Sequence, residues 1–166
     1  MRILRCVLVV GLATAPPAQA LDAKAAFERL KALSGEWQGN VTTKDGPPAQ
    51  VTYRVASNGN VVMEDLFPGT SHNMISMYHL DGGELMITHY CALGNRPTMK
   101  LVTAEASAGE MRFEFAGGTG FKPERDAHVH SGRIVFMDDD HIEAEWAVYA
   151  GGQQAGSNKF FLARKE

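Results

Sequence analysis

The sequence predicts an all-β protein: an up-and-down antiparallel barrel of about ten strands with one short N-terminal helix. From Glu36 onward, apolar and polar residues alternate with a period of two, which is typical of half-buried strands. Short turn signals rich in Gly, Asn, Asp and Pro interrupt this alternation at regular intervals. Helical spacing occurs in one segment only, residues 21–34. Many short strands joined by hairpins favour a barrel because closure removes the sheet edges.

The turn signals divide the chain into candidate strands of similar length. The predicted strands are 36–43, 51–57, 60–67, 73–80, 84–91, 98–106, 110–116, 129–138, 141–150 and 157–164. Segment 117–127 is the longest stretch between two of them, and we expect it to form a loop at the barrel mouth. A second-domain boundary is not visible, so residues 21–166 are predicted to form one domain.

The helical segment 21–34 is amphipathic and short. Asp22 can cap its N-terminus and Gly35 ends it. Its apolar residues recur at the spacing of one helix face: Ala26, Phe27, Leu30 and Leu33. A single helix of this kind is expected to lie across the base of the barrel.

Residues 1–20 have the parts of a secretory signal peptide. Arg2 and Arg5 give a positive start, residues 7–13 are apolar, and Ala18-Gln19-Ala20 is an A-x-A cleavage site. The apolar run is too short to cross a bilayer, which takes roughly 20 residues. We therefore predict a periplasmic or secreted protein, cleaved after Ala20, with no integral membrane segment after processing.

The composition of residues 21–166 excludes some partners. Arg2 and Arg5 are the only charged residues ahead of them, so 14 basic and 19 acidic residues remain, a formal charge of −5 (14 less 19). Nucleic acid and anionic membrane surfaces both require a basic face, so neither is expected as a partner. Cys91 is the one cysteine left after processing, and a lone thiol is most often buried and inert. The oligomeric state stays open.

The hairpin around Asn58-Gly59 places a carboxylate inside the barrel. With this turn, Tyr53 lies opposite Glu64 on the more apolar face. The other members of that face are Val51, Val55, Val62 and Leu66. A buried carboxylate is costly unless it finds a donor or its pKa rises, so Glu64 needs partners.

The stretch 74–97 is the most unusual part of the chain. Its turn at Gly82-Gly83 sets a two-residue hairpin, since adjacent glycines supply the positive φ that such a turn needs. The face assigned to the interior carries Met74, Ser76, Tyr78, Leu80, Leu85, Ile87, His89 and Cys91. The following loop, 94–97, is interpreted as turn chemistry, with Arg96 as the alternative anion-binding residue at the barrel lip.

The last hairpins give one clear face and one ambiguous strand. The inward stripe of strand 141–150 is Ile142, Ala144, Trp146 and Val148. Strand 129–138 is apolar on both faces, so its orientation stays open, and so does the facing of His128 and His130.

Glu64 and His89 form the first candidate site. A buried carboxylate beside an imidazole can orient a polar ligand, act as an acid–base pair or support a metal. The favoured alternative is a structural pair completed by Tyr53 or Tyr78. No catalytic residue is therefore assigned.

Metal and thiol chemistry are weaker candidates. His128-Val129-His130 puts two rings on one strand face, as some Zn or Cu sites require, but the spacing implies no third ligand. Cys91 shares a face with His89, yet Glu64 is the only carboxylate available to orient that imidazole. No metal site is predicted, and a divalent metal remains a minor alternative.

Two motifs carry a resemblance to known barrels. Gly35-Glu36-Trp37, directly after a short helix, resembles the G-x-W signature of lipocalins and the wider calycin superfamily. The resemblance implies that Arg164, near the end of the last strand, packs over Trp37 at the barrel base through a cation–π contact. Residues 74–97 resemble a group of secreted lipocalin-like bacterial proteins of unassigned function.

A more distant resemblance concerns haem. Gly35-x-Trp37-x-Gly39 and the strand number are similar to nitrobindin-like barrels, which hold haem through one histidine. The sequence departs from them after Gly39, where their glycine-rich continuation and proline are missing, and beyond His141, where no histidine follows. Haem is therefore a minor alternative, with His89, His128 or His130 as candidate ligands.

We predict that the barrel reversibly binds a small, mainly apolar molecule in its interior. The predicted ligand-binding residues are Tyr53, Glu64, Met74, Tyr78, His89, Arg96 and Trp146. The alternatives are a filled-core structural or interaction module, a haem- or metal-binding barrel, and a small enzyme that uses Glu64 and His89 as its acid–base pair. Of these classes, an enzyme is disfavoured.

Overall fold

The computed structural model describes residues 21–166, apart from the side chain of Ala104. The predicted leader lies outside the described residues. One helix precedes ten strands: α1 Ala23–Lys31, β1 Gly35–Val41, β2 Pro48–Ala56, β3 Val61–Leu66, β4 Met74–Asp81, β5 Glu84–Tyr90, β6 Arg96–Leu101, β7 Glu110–Thr119, β8 His128–Phe136, β9 His141–Ala150 and β10 Gln153–Arg164. Within residues 21–166, no helix has the length and apolarity needed to span a membrane.

The strands form a closed antiparallel barrel, which confirms the predicted fold class. Each strand pairs with its neighbours in sequence, and β1 closes the ring by pairing with β10. Trp37 lies opposite Arg164 at this seam. Closure leaves no edge strand to be protected.

The predicted hairpin registers are correct. Tyr53 lies opposite Glu64 across β2 and β3, and Tyr78 lies opposite Ile87 across β4 and β5. In the second hairpin, Gly82 and Gly83 have φ values of 56° and 90°, which only glycine adopts easily. The first hairpin turns through four residues, 57–60, but keeps the same pairing.

Some strand ends differ from the sequence prediction. The strand predicted to reach residue 106 ends at Leu101, because residues 103–105 form a 3₁₀ turn instead. The backbone N–H of Leu21 donates to the Ala106 carbonyl, so this segment leaves the sheet to hold the start of the helix. At the C-terminal end, the two-residue turn at Gly151-Gly152 lets β10 begin at Gln153, four residues earlier than predicted.

The orientation of β8 is set by a bulge. Val129 pairs with Val148, but Ser131 pairs with Ala147, so His130 is the extra residue and the alternation shifts by one. Beyond the bulge, Ile134 and Phe136 are buried. Gly132 lies against Trp146, and a Cβ at position 132 would overlap the indole ring, so glycine is required there.

The helix closes one end of the barrel, where Arg164 joins three elements. Its guanidinium lies 4.5 Å from the Trp37 ring centroid. It donates to the carbonyls of Ala32 and Ser34 just after α1, and to the Asp140 carboxylate in the β8–β9 turn. The indole N–H of Trp37 donates to the Leu33 carbonyl at 2.8 Å. The cation therefore caps the helix C-terminus and fixes the helix to the barrel.

The two ends of the barrel interior are packed differently. The base half, next to α1, is filled by fully buried side chains: Leu30, Trp37, Tyr53, Val62, Tyr78, Leu85, Ile87, Met99, Met111, Phe113, Ile134 and Ile142. The mouth half contains a cavity. This division places any internal site at the end away from the helix.

Replacing Arg164 with Ala should lower the free energy of unfolding by about 2–3 kcal/mol, because the carbonyl hydrogen bonds and the cation–π contact are lost together. Urea denaturation measures this change. The control is Arg125→Ala, which removes an exposed guanidinium paired with Asp126 and should leave the urea midpoint unchanged. Equal midpoints for Arg164→Ala and wild type would contradict this account of the base.

Candidate functional site

The mouth half of the barrel encloses a cavity of about 540 Å³. Its walls come from β1, β3, β4, β5, β8, β9 and β10 and from the loops at the open end. The lining residues are Val41, Thr42, Leu66, Phe67, Thr70, His72, Met74, His89, Cys91, Leu93, His128, Val129, Trp146, Val148, Asn158 and Phe160. Most of these side chains are aliphatic, aromatic or sulfur-containing, so the cavity favours an apolar occupant.

A row of polar side chains runs across the inner wall beneath this cavity. Tyr53 on β2, Glu64 on β3, Ser76 on β4 and His89 on β5 lie opposite one another in successive strand pairs. The Tyr53 hydroxyl donates to Glu64 Oε1 at 2.7 Å, and the Tyr78 hydroxyl donates to Oε2 at 3.1 Å. Ser76 Oγ lies 3.0 Å from Nδ1 of His89. Of the row, only His89 reaches the cavity.

Burial controls the protonation of this row. It raises the pKa of Glu64, while the hydroxyls of Tyr53, Ser76 and Tyr78 oppose the rise because they stabilise the carboxylate. Burial and the Glu64 charge raise the pKa of both tyrosines, so the phenols stay protonated and act as donors. Burial lowers the pKa of His89 to about 4, which keeps its ring neutral at neutral pH.

Two buried nitrogen atoms at the cavity lack a hydrogen-bond partner among the described residues. They are Nε2 of His89 and Nε1 of Trp146. The two residues are 4% and 6% exposed, and both line the cavity. An unpaired buried polar atom carries a desolvation cost of about 1–3 kcal/mol, which a ligand with matching groups would remove.

The other candidate histidines are already engaged. Nδ1 of His128 lies 2.9 Å from the Asp126 carbonyl, and its Nε2 lies 3.0 Å from Nδ1 of His130. Because a carbonyl only accepts, we assign the His128 proton to Nδ1 and a donor N–H to Nδ1 of His130. His130 is stacked between Phe115 and Tyr149, outside the cavity lining. The H-x-H pair therefore closes the wall between β7 and β8.

Within residues 21–166, no group of three or more His, Cys, Asp and Glu side chains is arranged to hold a metal ion. Cys91 is a free, half-buried thiol at the cavity wall. It contributes a polarisable surface to the cavity.

The structure divides the predicted ligand-binding residues into three groups. Met74, His89 and Trp146 line the cavity. Tyr53, Glu64 and Tyr78 lie below it in the polar row, where they support His89 without reaching the ligand space. Arg96 is exposed, and its Nε donates to the Thr119 hydroxyl at 3.0 Å on the outside of the lip.

Sequence reasoning missed part of the lining. Thr42, Phe67, Thr70, His72 and Leu93 lie in or beside the loops at the mouth, and Asn158 lies on β10. Strand alternation gives no signal for loop residues. Phe67 has a φ of 53°, which an aromatic residue rarely adopts, and no sequence pattern predicts this backbone conformation.

A solved structure shares this fold. The crystal structure of a protein of unknown function from the DUF3598 family of Nostoc punctiforme matches 82% of this chain, with a TM-score of 0.54 and 14% sequence identity. This chain spans about half of that protein, 49% of its length. The likeness shows the barrel fold, which is compatible with the calycin resemblance. The chain matches no protein-family model, and no curated protein is significantly similar to it.

The lowered pKa of His89 predicts a pH-dependent stability. Between pH 6.5 and about 4, His89 binds a proton in the unfolded chain but not in the folded protein. The free energy of unfolding therefore falls by about 3 kcal/mol as the pH drops through this window. Glu64 acts in the opposite sense, because its raised pKa lowers stability as the pH rises above 4.5. Urea denaturation of wild type and His89→Gln at pH 7 and pH 4 separates the two effects.

The difference in unfolding free energy between wild type and His89→Gln should change by up to about 3 kcal/mol between pH 7 and pH 4. His72→Gln is the matched control, since it alters an exposed histidine at the cavity rim and leaves His89 in place. Parallel pH profiles for wild type and His89→Gln would show that His89 is not buried as a neutral ring.

Proposed function

We propose that this protein reversibly binds a small, mainly apolar molecule in the mouth half of its barrel. The observation that carries the proposal is an apolar cavity of about 540 Å³ at whose wall two buried nitrogen atoms have no hydrogen-bond partner in the described chain. Pockets for small ligands typically measure roughly 300–1,000 Å³ and combine apolar walls with a few polar groups. The cavity has both properties.

The contrast between the two halves of the barrel supports binding over a purely structural role. The base half is filled by aromatic and aliphatic side chains, so the fold has a packed core of its own. The mouth half contains the cavity and leaves Trp146 and His89 with unpaired nitrogens. A filled-core module would bury such groups with partners.

The wall is also adaptable. Met74 and Cys91 contribute polarisable sulfur atoms, and Leu93, 68% exposed, lies at the rim. An exposed leucine beside an apolar opening can cover a bound molecule. Export, predicted from residues 1–20, would make the protein a carrier outside the cytoplasm.

Haem is a second candidate because of the geometry of His89. A haem ligand needs one free ring nitrogen and a hydrogen bond at the other, and His89 offers Nε2 to the cavity while Nδ1 is held by Ser76. His128 and His130 do not fit, since their pairing occupies both nitrogens of His128 and turns His130 outward. Bound haem would supply its iron for gas binding or electron transfer. A Soret band on titration with haem, lost in His89→Gln, would favour this candidate.

Filling the cavity should abolish binding. Val148 lines the cavity, whereas its neighbour Ala147 lies on the outer face of the same strand. N-phenyl-1-naphthylamine, an uncharged dye that fluoresces in apolar surroundings, should bind wild type and Ala147→Trp but not Val148→Trp. The indole of Val148→Trp would occupy the space that the dye needs.

Both variants carry the same added side chain, so thermal midpoints and far-ultraviolet circular dichroism establish that each is folded before the comparison. The proposal fails if wild type gives no fluorescence increase. It also fails if Ala147→Trp loses the dye as completely as Val148→Trp, because the dye would then be bound on the outside of the barrel.

A further inference from the structure

We propose that the ligand is uncharged and carries a hydrogen-bond donor, such as a hydroxyl group, which donates to Nε2 of His89. This inference rests on the proposed function and specifies the ligand class. In this scheme Ser76 and Glu64 are positioning residues: they fix which nitrogen of His89 carries the proton, and thereby make the cavity-facing nitrogen an acceptor.

The first step concerns charge. The cavity lining contains no Lys, Arg, Asp or Glu within residues 21–166, and its histidines are His72, His89 and His128. The ring of His89 is kept neutral by burial. A carboxylate or phosphate head group would enter without a counter-charge and would approach the buried Glu64 carboxylate. Burying such an unpaired charge is strongly unfavourable, so anionic lipids and fatty acids are poor ligands.

The second step follows the hydrogen bonds along the row. Tyr53 and Tyr78 each donate to one oxygen of Glu64, so the carboxylate is held as an acceptor. Ser76 lies directly opposite Glu64 across β3 and β4, so its hydroxyl shares the inner face with the carboxylate and helps to stabilise its charge. We assign the Ser76 proton to the side of Glu64, because a carboxylate is a stronger acceptor than an imidazole nitrogen. Ser76 Oγ then accepts at its contact with Nδ1 of His89, 3.0 Å away.

The third step assigns the proton of His89. Since Ser76 accepts, Nδ1 of His89 must be the donor, and a neutral imidazole has only one N–H. Nε2 is therefore a bare lone pair, buried at the cavity without a partner among the described residues. A ligand hydroxyl or amide N–H satisfies this atom. An ether or ester at the same place leaves it unpaired.

Trp146 adds the complementary requirement. Its indole N–H is a donor without a partner in the described chain, so it needs an acceptor. β5 and β9 are separated by three strands on one side of the ring and five on the other, so the two nitrogens face the cavity from well-separated walls. An apolar molecule with a hydroxyl at one end and a carbonyl or ether oxygen elsewhere meets both needs.

A matched set of ligands tests the donor requirement. Decan-1-ol, its methyl ether and decanoate have the same chain, and each is titrated against wild type with bound N-phenyl-1-naphthylamine at pH 7. The dissociation constant of the alcohol, obtained from displacement of the dye, should be about tenfold lower than that of the ether. This is the difference expected for one buried hydrogen bond. Decanoate should be the weakest of the three.

Variants test the positioning role of the row. In Glu64→Gln the side-chain amide can donate to Ser76, which turns the Ser76 hydroxyl toward His89 and moves the His89 proton to Nε2. The preference for alcohol over ether should then fall to unity or reverse. His79→Gln, on β4 but outside both the row and the cavity lining, should retain the wild-type preference. Nitrogen-15 NMR of the histidine rings reads the tautomer directly, including in wild type, where it does not depend on the folding of any variant.

The outcomes separate the two proposals. A wild-type protein that binds the dye but prefers the ether or decanoate overturns the inference and leaves the proposed function standing. A wild-type His89 protonated at Nε2 also overturns it. A wild-type protein that binds neither the dye nor any of the three ligands overturns the proposed function itself. A tenfold alcohol preference that is lost in Glu64→Gln and kept in His79→Gln supports the assignment.

Discussion

A carboxylate buried in the wall of a small barrel must be surrounded by hydrogen-bond donors, and for Glu64 on β3 these donors come from the two neighbouring strands. Glu64 is 1% exposed, and it is held by phenols from β2 and β4. These long tyrosine side chains fill the barrel at that level. The mouth side of this layer, beginning at Leu66, encloses the cavity. The polar row therefore marks the boundary between the filled and hollow halves.

The base of the barrel depends on a separate set of interactions. Arg164 lies over Trp37 and holds the carbonyls that end α1, so the helix, the first strand and the last strand are fixed to one another. The barrel also closes at this seam, where β1 pairs with β10, and the base half next to the helix is filled by buried side chains. This arrangement lets the mouth half keep unpaired polar atoms that a protein core would exclude.

Much of the fold could be predicted because the hairpins are short. A short turn limits the possible pairings of its strands, and one face of each pair is more apolar, so Tyr53, Glu64, Tyr78 and His89 could be placed inside from residue spacing alone. The same reasoning could not orient β8. Its bulge at His130 shifts the alternation by one residue, and a bulge has no reliable sequence signal here.

The site was harder to predict than the fold. Whether a barrel is hollow depends on how side chains from all strands and the mouth loops share the interior, and loop residues such as Phe67 and His72 have no alternation to follow. The sequence predicts Ser76 on the inner face, but its position between Glu64 and His89 becomes evident only when three strands are aligned. The sequence also offers Arg96 as a lip residue, and in the structure Arg96 is exposed and donates to the Thr119 hydroxyl.

The central claim is that an uncharged apolar molecule occupies the mouth half of the barrel and not the base. Intermolecular nuclear Overhauser effects between decan-1-ol and methyl-labelled protein test it most directly. The account predicts contacts from the alkyl chain to the methyl groups of Leu66, Val129 and Val148, and none to Val62, Ile87 or Ile134. Contacts to the second set, or to the outer face of the barrel alone, would contradict it.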